Sequence, residues 1–325
     1  MHRLMRLLAI GITALSSLSA LPAAAADTYP TRTIHLYLAF PPGGAADIVA
    51  RVVAQPLSER LGQTVVVENK PGSGGNIVGD LIAHANPDGY SLLLGPDNLF
   101  TTNPHLFKKM SFDPNKDIVP IATVVENQLA LVVDPKLPIK TFPDFIALAK
   151  KSNPPLFYGS IGNGSLHHIA MEMLKQEAGI NLTHVPYRGG GPAAIAVMGG
   201  QVAGMFGGGS VFNQIRGGQL RGLAVTSRKR SKELPDLPSI SEFYPNYEAT
   251  IWQALFAPRG TPQPIIDRVR KEVNEILKTK DFADKLTKTG AGEPYFTTLP
   301  EFTARLHRDF DRYGKIIKAA GIEVR

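Results

Sequence analysis

The sequence has no cysteine among its 325 residues, which excludes disulfides, thiolate metal sites and a cysteine nucleophile together. It also lacks the short strings of several chemistries. No glycine loop ends in the Gly-Lys-Ser/Thr of a nucleotide P-loop, no His-Glu-x-x-His offers zinc ligands, and no serine stands in a Gly-x-Ser-x-Gly elbow. The eight histidines show no ligand spacing beyond the adjacent His167 and His168, so neither a metal nor a cofactor is expected. Neither sign of charge dominates: 35 Lys and Arg stand against 28 Asp and Glu, a formal net charge of +7. The densest cluster, Arg228-Lys229-Arg230, has no interleaved aromatics, so nucleic acid is not an expected partner and only a weak attraction for anions remains.

What is present begins with an export signal. Basic Arg3 and Arg6 precede an uncharged stretch from Leu7 to Ala26 that ends in Pro22-Ala23-Ala24-Ala25-Ala26, the order of a cleaved signal peptide over residues 1–26. Gly11, Thr13, Ser16, Ser17 and Ser19 dilute the run, which is short of the ~20 apolar residues of a spanning helix. No later run resembles a membrane span, so a soluble periplasmic protein is expected.

Beyond the signal, β-rich runs alternate with amphipathic ones. Ile34 to Leu38, Thr64 to Glu68 and Ser91 to Leu94 read as strands, and Ala45 to Leu61 as a helix with Val49, Val53, Leu57 and Leu61 on one side. Residues 100–116 are rich in Asn, Pro and Lys without a period and read as a long surface loop. The alternation then resumes through strands near Leu129 to Val133, Leu156 to Tyr158, Thr183 to Val185, Val202 to Phe206 and Leu220 to Thr226. The tail carries the apolar run Ala249 to Ala257 and then three helices, too few strands for a sheet of its own. Folding it back gives lobe 1 from residues 27–128 plus 251–325 and lobe 2 from 129–250, with sheets of the parallel α/β type.

Four glycine-rich turns precede predicted helices: Phe40-Pro41-Pro42-Gly43-Gly44, Lys70 to Asn76, Gly159 to Ser165, and Tyr187-Arg188-Gly189-Gly190-Gly191-Pro192. Each can turn free N–H groups and a helix dipole toward an anion. Backbone amides, hydroxyls and one guanidinium suit a carboxylate better than a polyphosphate.

The strings Phe40 to Asp47, Val65 to Gly72, Pro87-Asp88-Gly89-Tyr90, His184 to Gly189, Leu223 to Ser227 and Ala319-Ala320-Gly321-Ile322, in this order, resemble the Bug-type substrate-binding proteins of tripartite tricarboxylate transporters. The resemblance covers essentially the whole chain past the signal. It implies a two-lobed, type II periplasmic-binding fold, each lobe a mainly parallel sheet flanked by helices, closing on a small organic, amino or aromatic acid. It implies a non-enzymatic monomer that delivers this ligand to membrane transporter subunits. A sensor partner, or a secreted hydrolase, are the other readings.

Carried onto this chain, the resemblance places ligand contacts at Phe40, Pro41, Gly43, Gly44 and Asp47 in one lobe. In the other it places them at Ser160, Gly164, Ser165, His168, Tyr187, Arg188 and Gly189. Asn98 joins them because it follows the carboxyl end of the third strand, where open α/β sheets bind ligands. Bland roles stand beside several of these: a helix-start carboxylate for Asp47, an N-cap for Ser165 and an inter-lobe salt bridge for Arg188. Trp252 reads as core. The run Gly207-Gly208-Gly209 departs from the family pattern and is expected to widen one wall of the pocket.

Overall fold

In the computed structural model, which describes residues 29–323, two sheets each gather their own core. The expected signal segment lies outside the described residues. The first strand, β1 (Ile34–Leu38), alternates buried and half-buried side chains, the period-2 pattern of a strand with one fully covered face. It leads into α1 (Ala45–Leu61), whose Val49, Val53 and Leu57 are fully buried and whose end is fixed by Gly62 at φ 72°, a left-handed cap that glycine adopts without steric cost.

The lobe continues with β2 (Val65–Asn69), α2 (Asn76–Ala83) and β3 (Ser91–Pro96). After these come the short helices α3 (Asp97–Thr101), α4 (Asn103–Leu106) and α5 (Pro114–Asp117), and then β4 (Ile118–Gln128). Here the expected surface loop is corrected. Leu99, Phe100, Leu106 and Phe112 are all buried, but helical segments of four or five residues never repeat an apolar face often enough to show a period.

After Leu129 the chain enters the second sheet with β5 (Ala130–Val133), α6 (Phe142–Lys151), β6 (Leu156–Ser160) and α7 (Leu166–Ala178). β7 (Leu182–Pro186), α8 (Gly190–Met198), β8 (Gly204–Gly207), α9 (Gly209–Arg216) and β9 (Arg221–Val225) complete it. The return strand β10 (Thr250–Pro258) rejoins the first sheet, followed by α10 (Gln263–Leu277), α11 (Lys280–Thr289), the two-residue β11 (Glu293–Pro294) and α12 (Leu299–Ala319).

The strand orders are β11-β4-β10-β3-β1-β2 and β7-β6-β8-β5-β9. Three of the six strands of the first sheet, β1, β2 and β3, and three of the five of the second, β6, β7 and β8, pair parallel with one another. The strands that carry the chain between sheets, β4, β5 and β10, pair antiparallel. A chain that leaves a sheet and comes back beside its exit must run the opposite way, so the expectation of mainly parallel sheets holds for the helix-bearing halves alone.

Helix α12 spans both cores. Phe302 and Leu306 pack with Trp252, Phe100 and Phe256 of the first lobe. Tyr313, Ile316 and Ile317 pack with Ile169, Met173 and Phe206 of the second. Each such side chain contributes about 1.5–3 kcal/mol when taken fully out of water, so α12 is anchored at both ends. Among the described residues, no helix is long and apolar enough to cross a membrane.

Candidate functional site

The helices differ in how they start: α7, after the parallel strand β6, is capped by Ser165, and α10 opens on Pro262 without a side-chain cap. Helices α6, α11 and α12 open on Thr141, Thr279 and Thr298, whose hydroxyls accept first-turn N–H groups. Helices α1, α8 and α9, each following the carboxyl end of a parallel strand, open on Gly44, Gly189 and Gly208 with no side-chain cap. First-turn N–H groups have no partner inside a helix. Omitting the cap leaves them, and the positive end of each dipole, open to an anion.

A cavity of about 1090 Å³ lies between the lobes. Ala45 at the start of α1 and Gly209 at the start of α9 line it, together with Asn213, Arg216, Lys232 and Lys288. A smaller one of about 310 Å³ adjoins the crossover strands, lined by Asn127, Gln128 and Thr250 with Arg228 and Lys229. None of the residues expected at the ligand lines either space. Gly209, Lys232 and Lys288, which do, had no local signal beyond the glycine run itself.

The first-lobe turn is exposed from Phe40 to Ala45, with Phe40 38% accessible. Asp47 sits beneath it, 4% accessible. Its carboxylate accepts from the Gly43 N–H at 3.0 Å, from Arg51 Nε and Nη2 at 2.9 and 3.0 Å, and from Asn69 Nδ2 at 2.9 Å. The Arg51 hydrogen bonds above all hold its pKa down, to about 2. Both oxygens serve the turn itself, so Asp47 is a builder of the site, and the Gly43 N–H is turned inward with it.

The second-lobe turn has the same internal character. The Ser160 hydroxyl is fully buried and lies 3.1 Å from both the N and the O of Gly162 and 2.6 Å from His184 Nε2. Ser165 caps α7, accepting from His168 N at 3.3 Å and donating to Gly162 O at 2.7 Å. His168 is buried behind the turn and takes the Gly164 N–H on Nδ1 at 3.3 Å. It lines a separate cavity of about 810 Å³ with Glu172, Lys175 and His184. Ser160, Ser165 and His168 therefore shape the turn from inside.

Asn98 acts likewise in the first lobe, donating to Gly74 O at 2.7 Å and to Asn103 Oδ1 at 3.2 Å. Phe100 and Trp252 are core, stacked with centroids 6.3 Å apart. Tyr187 lays its ring against Gly159, where a Cβ would stand 3.4 Å from Cε2. Arg188 is exposed, and among the described residues no carboxylate lies within salt-bridge distance of it. A Cβ on Gly207 would come 2.4 Å from Val211 of the same lobe, and one on Gly209, which lines the inter-lobe cavity, would come 2.9 Å from Gly290 O on the opposite lobe. The lack of a side chain at Gly209 lets the lobes approach each other there.

Sequence reading missed Asp97 entirely. It is fully enclosed at the start of α3, its Oδ2 has no partner, and burial pushes its pKa up to about 7.

Two α/β lobes joined by antiparallel crossover strands, with uncapped helix starts facing an inter-lobe cavity, define the periplasmic binding-protein class of fold. Comparisons with known proteins narrow this. Residues 49–322 match the tripartite tricarboxylate transporter family receptor, and the chain belongs to that family. Protein BugT of Bordetella pertussis is 34% identical over 98% of this chain and 99% of its own length. A solved TctC solute-binding protein from Polaromonas superposes with a TM-score of 0.80 at 29% identity, over 90% of this chain and 100% of that one. A second solved structure, from R. palustris with adipate, gives 0.74 at 32%, over 91% and 99%. A third, MatC from Rhodopseudomonas palustris with bound malate, gives 0.70 at 27%, over 89% and 100%.

Proposed function

We propose that this chain is an extracytoplasmic receptor that captures a small carboxylate between its lobes and hands it to the membrane subunits of a tripartite tricarboxylate transporter. The observation that carries the reading is the contrast in helix starts: glycine and no cap at α1, α8 and α9, threonine caps at α6, α11 and α12. A carboxylate shared by uncapped starts from both lobes has differential affinity for the closed form, which is all that capture requires. The relatives solved with adipate and malate support the ligand class.

In this reading lobe 1 comprises residues 27–128 plus 251–325 and lobe 2 residues 129–250, with the second half of α12 serving lobe 2. Residues 1–26 are removed on export to the periplasm, and the receptor works as a monomer. The ligand contacts proposed are the Phe40-Pro41 lip, the N–H groups following Gly44 and Gly189, the Tyr187 ring and the free Arg188 guanidinium.

Titration calorimetry against malate, adipate and a panel of amino and aromatic acids, with small-angle scattering for closure, tests this. Binding of at least one acid with compaction is expected. Turnover of any of them, or tight binding of sugars with no response to any carboxylate, overturns it. Arg188→Ala is expected to weaken the bound acid by about 1.5–3 kcal/mol, the range for a hydrogen bond to a charged group.

A further inference from the structure

Behind the second-lobe turn two imidazoles lie face to face. His184, on the edge strand β7 opposite Tyr158, and His168, on α7, stack with centroids 3.7 Å apart and planes 17° apart. Each holds one end of the turn: His184 Nε2 meets the Ser160 hydroxyl that binds Gly162, and His168 Nδ1 accepts the Gly164 N–H. The turn has little stiffness of its own, since Gly162 and Gly164 take φ values of 136° and 72°, where glycine alone moves freely and ordering has an entropic cost.

We propose that His168 and His184 are a stacked pair of positioning residues: they hold the Ser160 to Ser165 turn, whose Ser160 O accepts the Tyr187 N–H at 2.9 Å, and through it place Tyr187 and Arg188 for the ligand. The proposal rests on the carboxylate-capture reading above.

Because His168 accepts an N–H on Nδ1, its proton sits on Nε2, 3.9 Å from Glu172 Oε1. An imidazolium has no acceptor, so protonating His168 would set N–H against N–H at Gly164. The neighbours do not invite that charge. Glu172 is already occupied by the Tyr158 hydroxyl at 2.6 Å and by Lys175 at 2.8 Å to each oxygen. Glu323 and Asn163 complete the border of the same cavity. Burial lowers both rings, His168 to about 3 with help from His184 and Lys175, and His184 to about 4. The pair is neutral and the turn held throughout the neutral range, and acid releases it.

Amide exchange and ring titration followed by NMR on the full mature chain without ligand test this. His168→Phe keeps a ring in the stack but removes Nδ1. It is expected to speed exchange at Gly164 about tenfold or more, while His168→Asn, whose Oδ1 falls near the lost nitrogen, restores it. His184→Phe is expected to act the same way on Gly162. In the unaltered protein the Gly162 and Gly164 amide shifts should follow the ring titrations in acid, a readout that needs no variant to fold. Ring titrations that leave both amides still, or unchanged Gly164 exchange in folded His168→Phe, overturn the proposal. Failure of the unaltered chain to bind any acid would instead count against the capture reading.

Discussion

Arg305 on α12 reaches Glu126 on β4 at 2.6 Å, tying the helix that spans both lobes to the strand by which the chain leaves the first. Thr250, the first residue of the return strand, donates to the same Glu126 oxygen at 2.6 Å, and Asp309 holds the guanidinium from one turn along the helix at 3.3 Å. Both crossovers and the strut thus meet at one buried cation.

Removing that cation leaves buried Asp309 with Arg308 alone at 3.1 Å and half-buried Glu126 with the Thr250 hydroxyl alone. Breaking a buried pair typically costs about 3–5 kcal/mol, and the remaining partners put the loss at the lower end, about 3 kcal/mol. Arg305→Ala is expected to lower unfolding free energy by roughly that amount in urea titrations. A loss below about 1 kcal/mol would mean that the two carboxylates find water or other partners.

Asp97 supplies a pH dependence of unusual sign for a carboxylate. Its folded pKa is raised to about 7 while the unfolded value is about 3.9. Between those values the folded state retains a proton that the unfolded state has released, so the contribution to stability falls as pH rises from about 4 to about 7 and is level above. Asp97→Asn, which cannot ionise, is expected to gain stability relative to the parent at pH 8 and to lose that gain at pH 5, by denaturant unfolding at both pH values.

Asp47 behaves in the opposite way. Its folded pKa, held near 2 by Arg51, lies below the unfolded value, so its stabilisation is present above about pH 4 and is lost as pH falls toward 2. Asp47→Asn is expected to destabilise by about 1–3 kcal/mol at pH 7, with the difference from the parent vanishing toward pH 2 in thermal scans.

Gly209 meets Gly290 across the lobes. A methyl group there would stand 2.9 Å from the Gly290 carbonyl oxygen, so Gly209→Ala is expected to hold the lobes apart. A larger radius of gyration by small-angle scattering and at least tenfold weaker ligand binding should appear with little change in melting temperature. Identical scattering would show that the contact yields without moving the lobes.

Periodicity was sufficient for α1, α10 and α11, whose buried faces repeat at Val49, Val53 and Leu57, at Ile266, Val269 and Val273, and at Phe282 and Leu286. It failed for β4, where Pro120, Thr123, Glu126 and Asn127 break the apolar alternation. Glu126 serves Arg305 of α12 and Thr250 of β10, and Asn127 donates to Ala291 O just past α11, instead of a single core face. The site was half legible. Glycines before helices marked the turns, yet the side chains named with them, Asp47, Ser160, Ser165 and His168, proved to bond inward.

The absence of cysteine chemistry, the α/β alternation and the placing of glycine at helix starts are properties of neighbouring residues, and the sequence alone determined them. Tertiary structure decided which oxygens and nitrogens are already used. The pairing of Tyr158 with His184 across β6 and β7, the stack on His168, the Arg305 hub and the Gly209 approach all join residues far apart in the chain. Strand register and lobe packing bring them within hydrogen-bond or van der Waals distance, and no local pattern records that distance.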